Sequence, residues 1–277
     1  MKQILLLTDF SENSTNAIQF ALELLKDYQC NFFVLHVQKT KGYISDDLVM
    51  GGGQNLYDSV LKTSKNKLTK LVNTIETKFG KANFKFKSLI DFDSLTEAIN
   101  QVIASKAIDL IVMGNNGVTG AAERIFGSNT INVIRNVNCP TLVIPEGFTF
   151  TTVSELLLPL ELEDTLNSTA FSELVSFTSK FFKRIHLLRL NPNEDSQTHL
   201  NTDKNYINSL TNTLQFTYHL IKGVPTEYAV QSYVQIHNID MISLLVQKKT
   251  FFERFFTGSK TSKISNKLRV PLLVFHV

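Results

Sequence analysis

The same succession of apolar strand-like runs and helical segments occurs twice in this chain, about 130 residues apart, and this duplication constrains the fold more than any other feature. The first series opens on Ile4-Leu5-Leu6-Leu7-Thr8, a continuous apolar run suited to a parallel strand covered on both faces. Ser11 is placed to cap the next helix, on which Ala17, Ala21, Leu24 and Leu25 share one face. Phe32 to Val37 reads as the second strand, and a loop from Lys39 closes on Gly51-Gly52-Gly53, three residues that favour conformational freedom. Leu56, Val60, Leu68, Leu71, Ile75 and Phe79 keep helical spacing up to Gly80. Asn83 to Ile90 alternates Phe84 and Phe86 with Lys85 and Lys87, which predicts a half-exposed edge strand. Ser94-Leu95-Thr96-Glu97 is a capping box before a helix carrying Ala98, Ile99, Val102 and Ile103. Asp109 to Met113 is a fourth strand, and a helix through Ile131 to Arg135 leads to a fifth at Cys139 to Ile144.

From Val153 the pattern restarts. Strands are expected at Leu156–Pro159, Ile185–Leu190, Gln215–Ile221, Asp240–Val246 and Pro271–Val277. Helices are expected over Leu166–Phe182, Leu200–Leu214, Gly223–Ile236 and Ser259–Leu268. Ile108-Asp109-Leu110-Ile111-Val112 stands beside Ile239-Asp240-Met241-Ile242-Ser243, and Cys139-Pro140-Thr141-Leu142-Val143 beside Val270-Pro271-Leu272-Leu273-Val274. Alternating strands and helices mean parallel sheets wrapped on both faces with right-handed crossovers. The expected architecture is α/β: two tandem, doubly wound, Rossmann-like domains of five parallel strands, 1–148 and 149–277.

In such sheets ligands lie at the carboxyl ends of the strands, where the strand order reverses. Asp9 ends the first strand, and Met113-Gly114-Asn115-Asn116-Gly117 ends the fourth, followed after nine residues by Gly127-Ser128-Asn129-Thr130 at a helix start. Glycines let a backbone approach an anion closely, and the first N–H groups of a helix point at it. A structural turn with Ser128 as N-cap is the alternative on spacing alone; the convergence with Asp9 favours a phosphate site.

Other classes are weakened by composition. A net charge of +3 does not indicate nucleic-acid binding. No apolar run approaches the ~20 residues of a membrane helix, and the opening Met1-Lys2-Gln3-Ile4 is unlike a signal peptide, so a cytoplasmic location is expected. Cys30 and Cys139 show no CxxC spacing and read as small buried hydrophobes. His36, His186, His199, His219, His237 and His276 are scattered, with no metal-ligand cluster. Lys248, Lys249, Arg254, Lys260, Lys263, Lys267 and Arg269 face only Glu253 in the last stretch, which reads as a solvated face or, less simply, an anion or partner site.

The spacing Gly114, two residues, Gly117, nine residues, Gly127-Ser128 resembles the nucleotide signature of the universal stress protein family, in its tandem form. The opening strand and turn, Ile4 to Glu12, is similar to that family's as well, except that Leu7 stands where a proline is common. The resemblance implies an adenine nucleotide alpha hydrolase-like fold and ATP in the first domain, with Mg²⁺ travelling with the triphosphate. It places Thr8 and Asp9 by the ribose or adenine, Val37 and Met113 along the adenine pocket, and Gly114, Gly117, Gly127, Ser128, Asn129 and Thr130 around the phosphates. In the second half Gln247 replaces Gly114, Lys248 to Thr250 follow through a shorter loop, Glu161 replaces Asp9, and only Gly258-Ser259 and Thr261 are retained, so ATP binding in the family's manner is not expected there.

Three functions follow: a nucleotide-binding sensor or conformational switch in stress response, a dimerisation module or scaffold independent of ATP, and an enzyme such as a nucleotidyl transferase. The chain has no GxxxxGK[ST], GxGxxG or GxSxG motif, and Glu123 and Arg124 supply no clear water-activating pair, so hydrolysis is expected to be slow at most. Single-domain members of the family pair through their last strands, which implies pairing of Pro140–Ile144 with Pro271–Val277 inside this chain and leaves homodimerisation open.

Overall fold

The computed structural model describes residues 1–38, 53–80, 82–115, 127–161, 164–191, 197–210, 214–246 and 270–276. The expected glycine-rich loop through Gly51-Gly52, the loop at Gln247 to Thr250, Gly258-Ser259, Thr261, the Ser259–Leu268 helix and the whole basic cluster from Lys248 to Arg269 lie outside these residues. Contacts divide the chain into two compact units, the first running to Cys139 and the second from Pro140.

In the first unit β1 (Lys2–Leu7), β2 (Cys30–Val37), β3 (Phe84–Asp91) and β4 (Leu110–Gly114) are parallel, in the order β3-β2-β1-β4. The central strand is buried throughout its apolar run: Ile4, Leu5 and Leu6 have no exposed surface. β3 lies at the edge with Lys85 and Lys87 outward, while Phe84 and Phe86 meet Phe32 of β2 with ring centroids 4.8 and 5.3 Å away. The phenylalanine–lysine alternation thus fixes which face of the strand is covered.

Helices α1 (Glu12–Leu24), α2 (Gly53–Lys78), α3 (Leu95–Lys106) and α4 (Ser128–Asn136) belong to the same unit. Ser11 caps α1 by accepting from the Ser14 amide. The capping box is complete at α3: the Ser94 side chain accepts from the Glu97 amide and the Glu97 carboxylate accepts from the Ser94 amide. Ala17 and Ala21 of α1, and Ala98, Ile99 and Val102 of α3, enter the core as their spacing requires.

The second unit contains β5 (Thr141–Ile144), β6 (Glu155–Leu160), β7 (Arg184–Asn191), β8 (Gln215–Lys222), β9 (Met241–Val246) and β10 (Leu272–His276). Their order is β5-β10-β9-β6-β7-β8, with β5 antiparallel to β10 and the remaining neighbours parallel. Its described helices are α5 (Thr169–Thr178), α6 (Gln197–Ser209) and α7 (Thr226–Ile236). All three are shorter than or shifted from their expected bounds. Ser168 caps α5 through the Phe171 amide, which sets its start later than Leu166. Gly223 has φ +67°, a left-handed conformation, and Pro225 is the N-cap of α7, so the helix begins after Gly223 rather than at it.

Candidate functional site

Where β1 and β4 meet in the first unit the strand order reverses, and α1 starts directly above. Thr8, buried just beyond β1, accepts from the Phe10 amide at 3.0 Å through Oγ1, which also lies 3.1 Å from Ser14 Oγ. Asp9 Oδ1 accepts from the Ser11 amide at 3.0 Å and from Ser11 Oγ at 2.6 Å. The Ser11 hydroxyl therefore accepts from the Ser14 amide at 3.1 Å while donating to Asp9, so helix cap and carboxylate form one network. Phe10 takes φ +64°, a left-handed conformation that costs a non-glycine residue about 1–2 kcal/mol. Its ring centroid lies 4.4 Å from that of His36. His36 Nδ1 is 2.9 Å from the Thr8 carbonyl, and since a carbonyl only accepts, that nitrogen carries the proton.

Val37, half-buried, ends β2, and Met113 is buried in β4. Gly114 ends β4 against the first turn of α1. A Cβ there would lie 2.9 Å from Asn13 Cγ and Nδ2 and 3.0 Å from the Asn13 carbonyl oxygen. Close packing of β4 on α1 thus already requires this glycine, whatever ligand is present. Asn115 then turns its carbonyl onto the start of α4, accepting from the Gly127 amide at 3.1 Å and from Thr130 Oγ1 at 2.8 Å.

Thr130 has no exposed surface, and its hydroxyl proton is committed to the Asn115 carbonyl. It therefore holds the two ends of the loop together. Gly127, rather than Ser128, is the N-cap of α4 and makes no side-chain cap bond. Ser128 and Asn129 occupy the exposed first turn. This helix start offers uncapped amides and partial positive charge, the features that suit an anion. Gly117, Glu123 and Arg124 lie outside the described residues. The structure thus brings together the ends of β1 and β4 with the starts of α1 and α4, joined by Thr8–Ser14, Gly114–Asn13 and Thr130–Asn115.

Residues 1–145 match the model of the universal stress protein family. The chain belongs to the universal stress protein family. Universal stress protein MJ0577 of Methanocaldococcus jannaschii is 31% identical over 154 residues, covering 52% of this chain and 94% of its own. Universal stress protein MJ0531 of the same organism is 27% identical over 144 residues, covering 52% of this chain and 81% of its own. A universal stress protein from Archaeoglobus fulgidus aligns in structure over 99% of this chain and 98% of its own, with a TM-score of 0.69 at 17% identity, a likeness of fold. Both repeats of the present universal stress protein therefore have the mixed α/β, Rossmann-like architecture expected from their pattern. Among the described residues no helix is long and apolar enough to cross a membrane.

Cys30 and Cys139 are buried free thiols, and burial pushes their pKa values up to about 11 and about 12. The histidines behave differently from their reading as scattered residues. In the second unit His186, His219 and His237 converge around Tyr233, although no three acidic, histidine or cysteine residues among those described are arranged to hold a metal. His186 Nε2 lies 2.7 Å from Glu155 Oε2, so it donates there. Its Nδ1 then accepts, with Tyr233 Oη and Thr217 Oγ1 each at 3.0 Å; the same phenol is 2.6 Å from His219 Nδ1. Separation along the chain hides this cluster. Its one local signal is a histidine set among Ile185, Leu187 and Leu188 of a strand.

Burial is the main cause lowering the His186 pKa below its ordinary 6.5, with the Glu155 hydrogen bond opposing it. The unfolded chain then binds the proton at higher pH than the native one, so stability falls as pH drops below about 6.5 towards the native value. Urea unfolding followed by tyrosine absorbance from pH 7.5 to 5 is expected to show this loss. His186→Gln should flatten the slope; an unchanged slope would remove His186 as its source.

Proposed function

We propose that the first unit binds an adenine nucleotide, ATP, across the carboxyl ends of β1, β2 and β4, and that binding serves as a sensor or conformational switch in stress response. The observation that carries this reading is the uncapped start of α4, held beside the end of β4 by the Thr130–Asn115 bond. Phosphates would meet the amides of this helix start together with Gly127, Ser128 and Asn129, with Gly117 completing the glycine spacing. Thr130 would act through the loop it holds. Asp9 and Thr8 would face the ribose or adenine, and Val37 and Met113 would line the base. Mg²⁺ would accompany the triphosphate, neutralising its charge through phosphate oxygens and water. Pairing of the last strands of the two repeats is part of the same reading, supported by the antiparallel register of Leu272 with Val143 and Val274 with Thr141.

Equilibrium dialysis with ATP and Mg²⁺, together with ultraviolet absorbance of co-purified nucleotide, tests this directly. Asp9→Ala and Ser128→Ala are each expected to weaken binding by about tenfold to a hundredfold, the worth of one hydrogen bond involving a charged partner. Absence of binding by the folded wild-type protein would instead support an ATP-independent scaffold. One feature favours that second reading: Asp9 Oδ1 and the Thr130 proton already have partners within the protein.

A further inference from the structure

Arg189 is the largest side chain with no exposed surface in the described structure, and it stands between Leu188 and Leu190 inside β7. It is the sixth residue of β7. Ile185 pairs with Leu156 as Phe32 pairs with Ile4, so Arg189, four residues on, holds the place that His36 holds in the first unit. Both side chains bind the backbone just beyond the first strand of their own unit. His36 meets the Thr8 carbonyl alone, whereas Arg189 Nη1 donates to the carbonyls of Glu161 and, at 2.8 Å, Asp164.

The other edge of the guanidinium reaches the helix that follows. Nε and Nη2 donate to Asp203 Oδ2 of α6 at 3.1 and 2.6 Å, and Tyr218 of β8 donates to the same oxygen at 2.8 Å. Asp164 Oδ2 accepts from the Glu161 amide at 2.8 Å, closing the turn. The first unit has a neutral and looser counterpart: Ser64 of α2 donates to Gln38 Oε1 at 2.9 Å, and that oxygen is 3.4 Å from His36 Nε2. A planar fork of fixed donors makes three connections at once that an imidazole cannot.

We propose that Arg189 is a permanent internal occupant of the second unit's crevice: its guanidinium ties the turn after β6 to α6, keeps this side closed without a ligand, and bars a nucleotide from it. In the first unit, where the described residues hold no charged clamp of this kind, the corresponding turn and helix respond to ligand. This inference rests on the nucleotide reading of the first unit only for that contrast. One ATP per chain is the resulting stoichiometry.

Hydrogen exchange on the full chain, with and without saturating ATP and Mg²⁺, tests it. In wild type, ATP should slow exchange in residues 8–14 and in α2, while Glu161, Asp164 and α6 are already protected and do not change. Arg189→Met/Asp203→Leu/Tyr218→Phe replaces the buried polar set by apolar groups of similar size, a change that can preserve folding. Protection at Glu161 and Asp164 should fall by about tenfold in that variant, an opening of the turn without global unfolding. Arg189→Lys, which keeps the charge but loses the fork, should have the same local effect and serves if the triple variant does not fold. Slower exchange at Glu161, Asp164 or α6 on adding ATP to wild type, or unchanged protection in the variants, overturns the proposal. If ATP slows exchange nowhere, the nucleotide reading fails, and the variants alone decide the role of Arg189.

Discussion

Asp203→Ala is expected to destabilise the second unit by about 3–5 kcal/mol, because it strands a guanidinium in the interior. Arg189 has no exposed surface and Asp203 is 4% exposed, so water cannot take over from the lost carboxylate. Tyr218 loses its acceptor in the same step; its pKa, now raised to about 12 chiefly by burial and then by its bond to Asp203, should fall back towards the ordinary value. A loss of this size is a large part of the 5–15 kcal/mol that holds an ordinary domain folded. The chain has no tryptophan, and four of its seven tyrosines, Tyr206, Tyr218, Tyr228 and Tyr233, lie in the second half, so tyrosine absorbance during urea unfolding includes the affected unit, and comparison with wild type isolates its transition. A cost below about 1 kcal/mol would mean that Arg189 finds solvent and is not the clamp described.

Gly114→Ala is expected to destabilise the first unit by about 1–3 kcal/mol in the absence of any nucleotide, the usual cost of forcing an extra carbon into packed structure. The obstruction includes the backbone carbonyl of Asn13 at 3.0 Å as well as its side chain at 2.9 Å, and Asn13 is itself buried. Gly114→Val should cost more. Asn13→Gly in the Gly114→Ala background removes the side-chain part of the clash and leaves the carbonyl, so it should restore only part of the stability. Thermal unfolding of the unliganded proteins gives the comparison. If Gly114→Ala unfolds like wild type and loses only ATP affinity, the glycine serves the ligand rather than α1.

These two positions show where the sequence could and could not be read. The strands, caps and covered faces were legible because their signals are local: the unbroken Ile4–Leu7 run, the Ser94–Glu97 box, and the phenylalanine–lysine alternation on β3 each specify their own surroundings. The reading of Gly114 as a phosphate residue came from spacing, which counts residues but does not reveal that α1 passes within contact distance. Spacing likewise offers Ser128 as a candidate cap, yet the backbone places Gly127 there, one residue earlier. Arg189 and His186 did leave a mark in the sequence, as polar residues within a strand whose neighbours are Ile185, Leu187, Leu188 and Leu190. Their partners could not be inferred from it: Asp203 is on the next helix, and Tyr233 is further along still, beyond β8.

The strand Thr141–Ile144 comes from the first repeat by sequence but packs in the second unit, where it covers the flank of β10 along Leu272, Leu273 and Val274. Deleting the first repeat, or exchanging it for a relative with a different final strand, would bare an apolar edge ready to pair with other chains. The last strand of the first repeat therefore acts as a protective edge for the second, and a cut between the repeats has to fall before Thr141 to leave that cover in place.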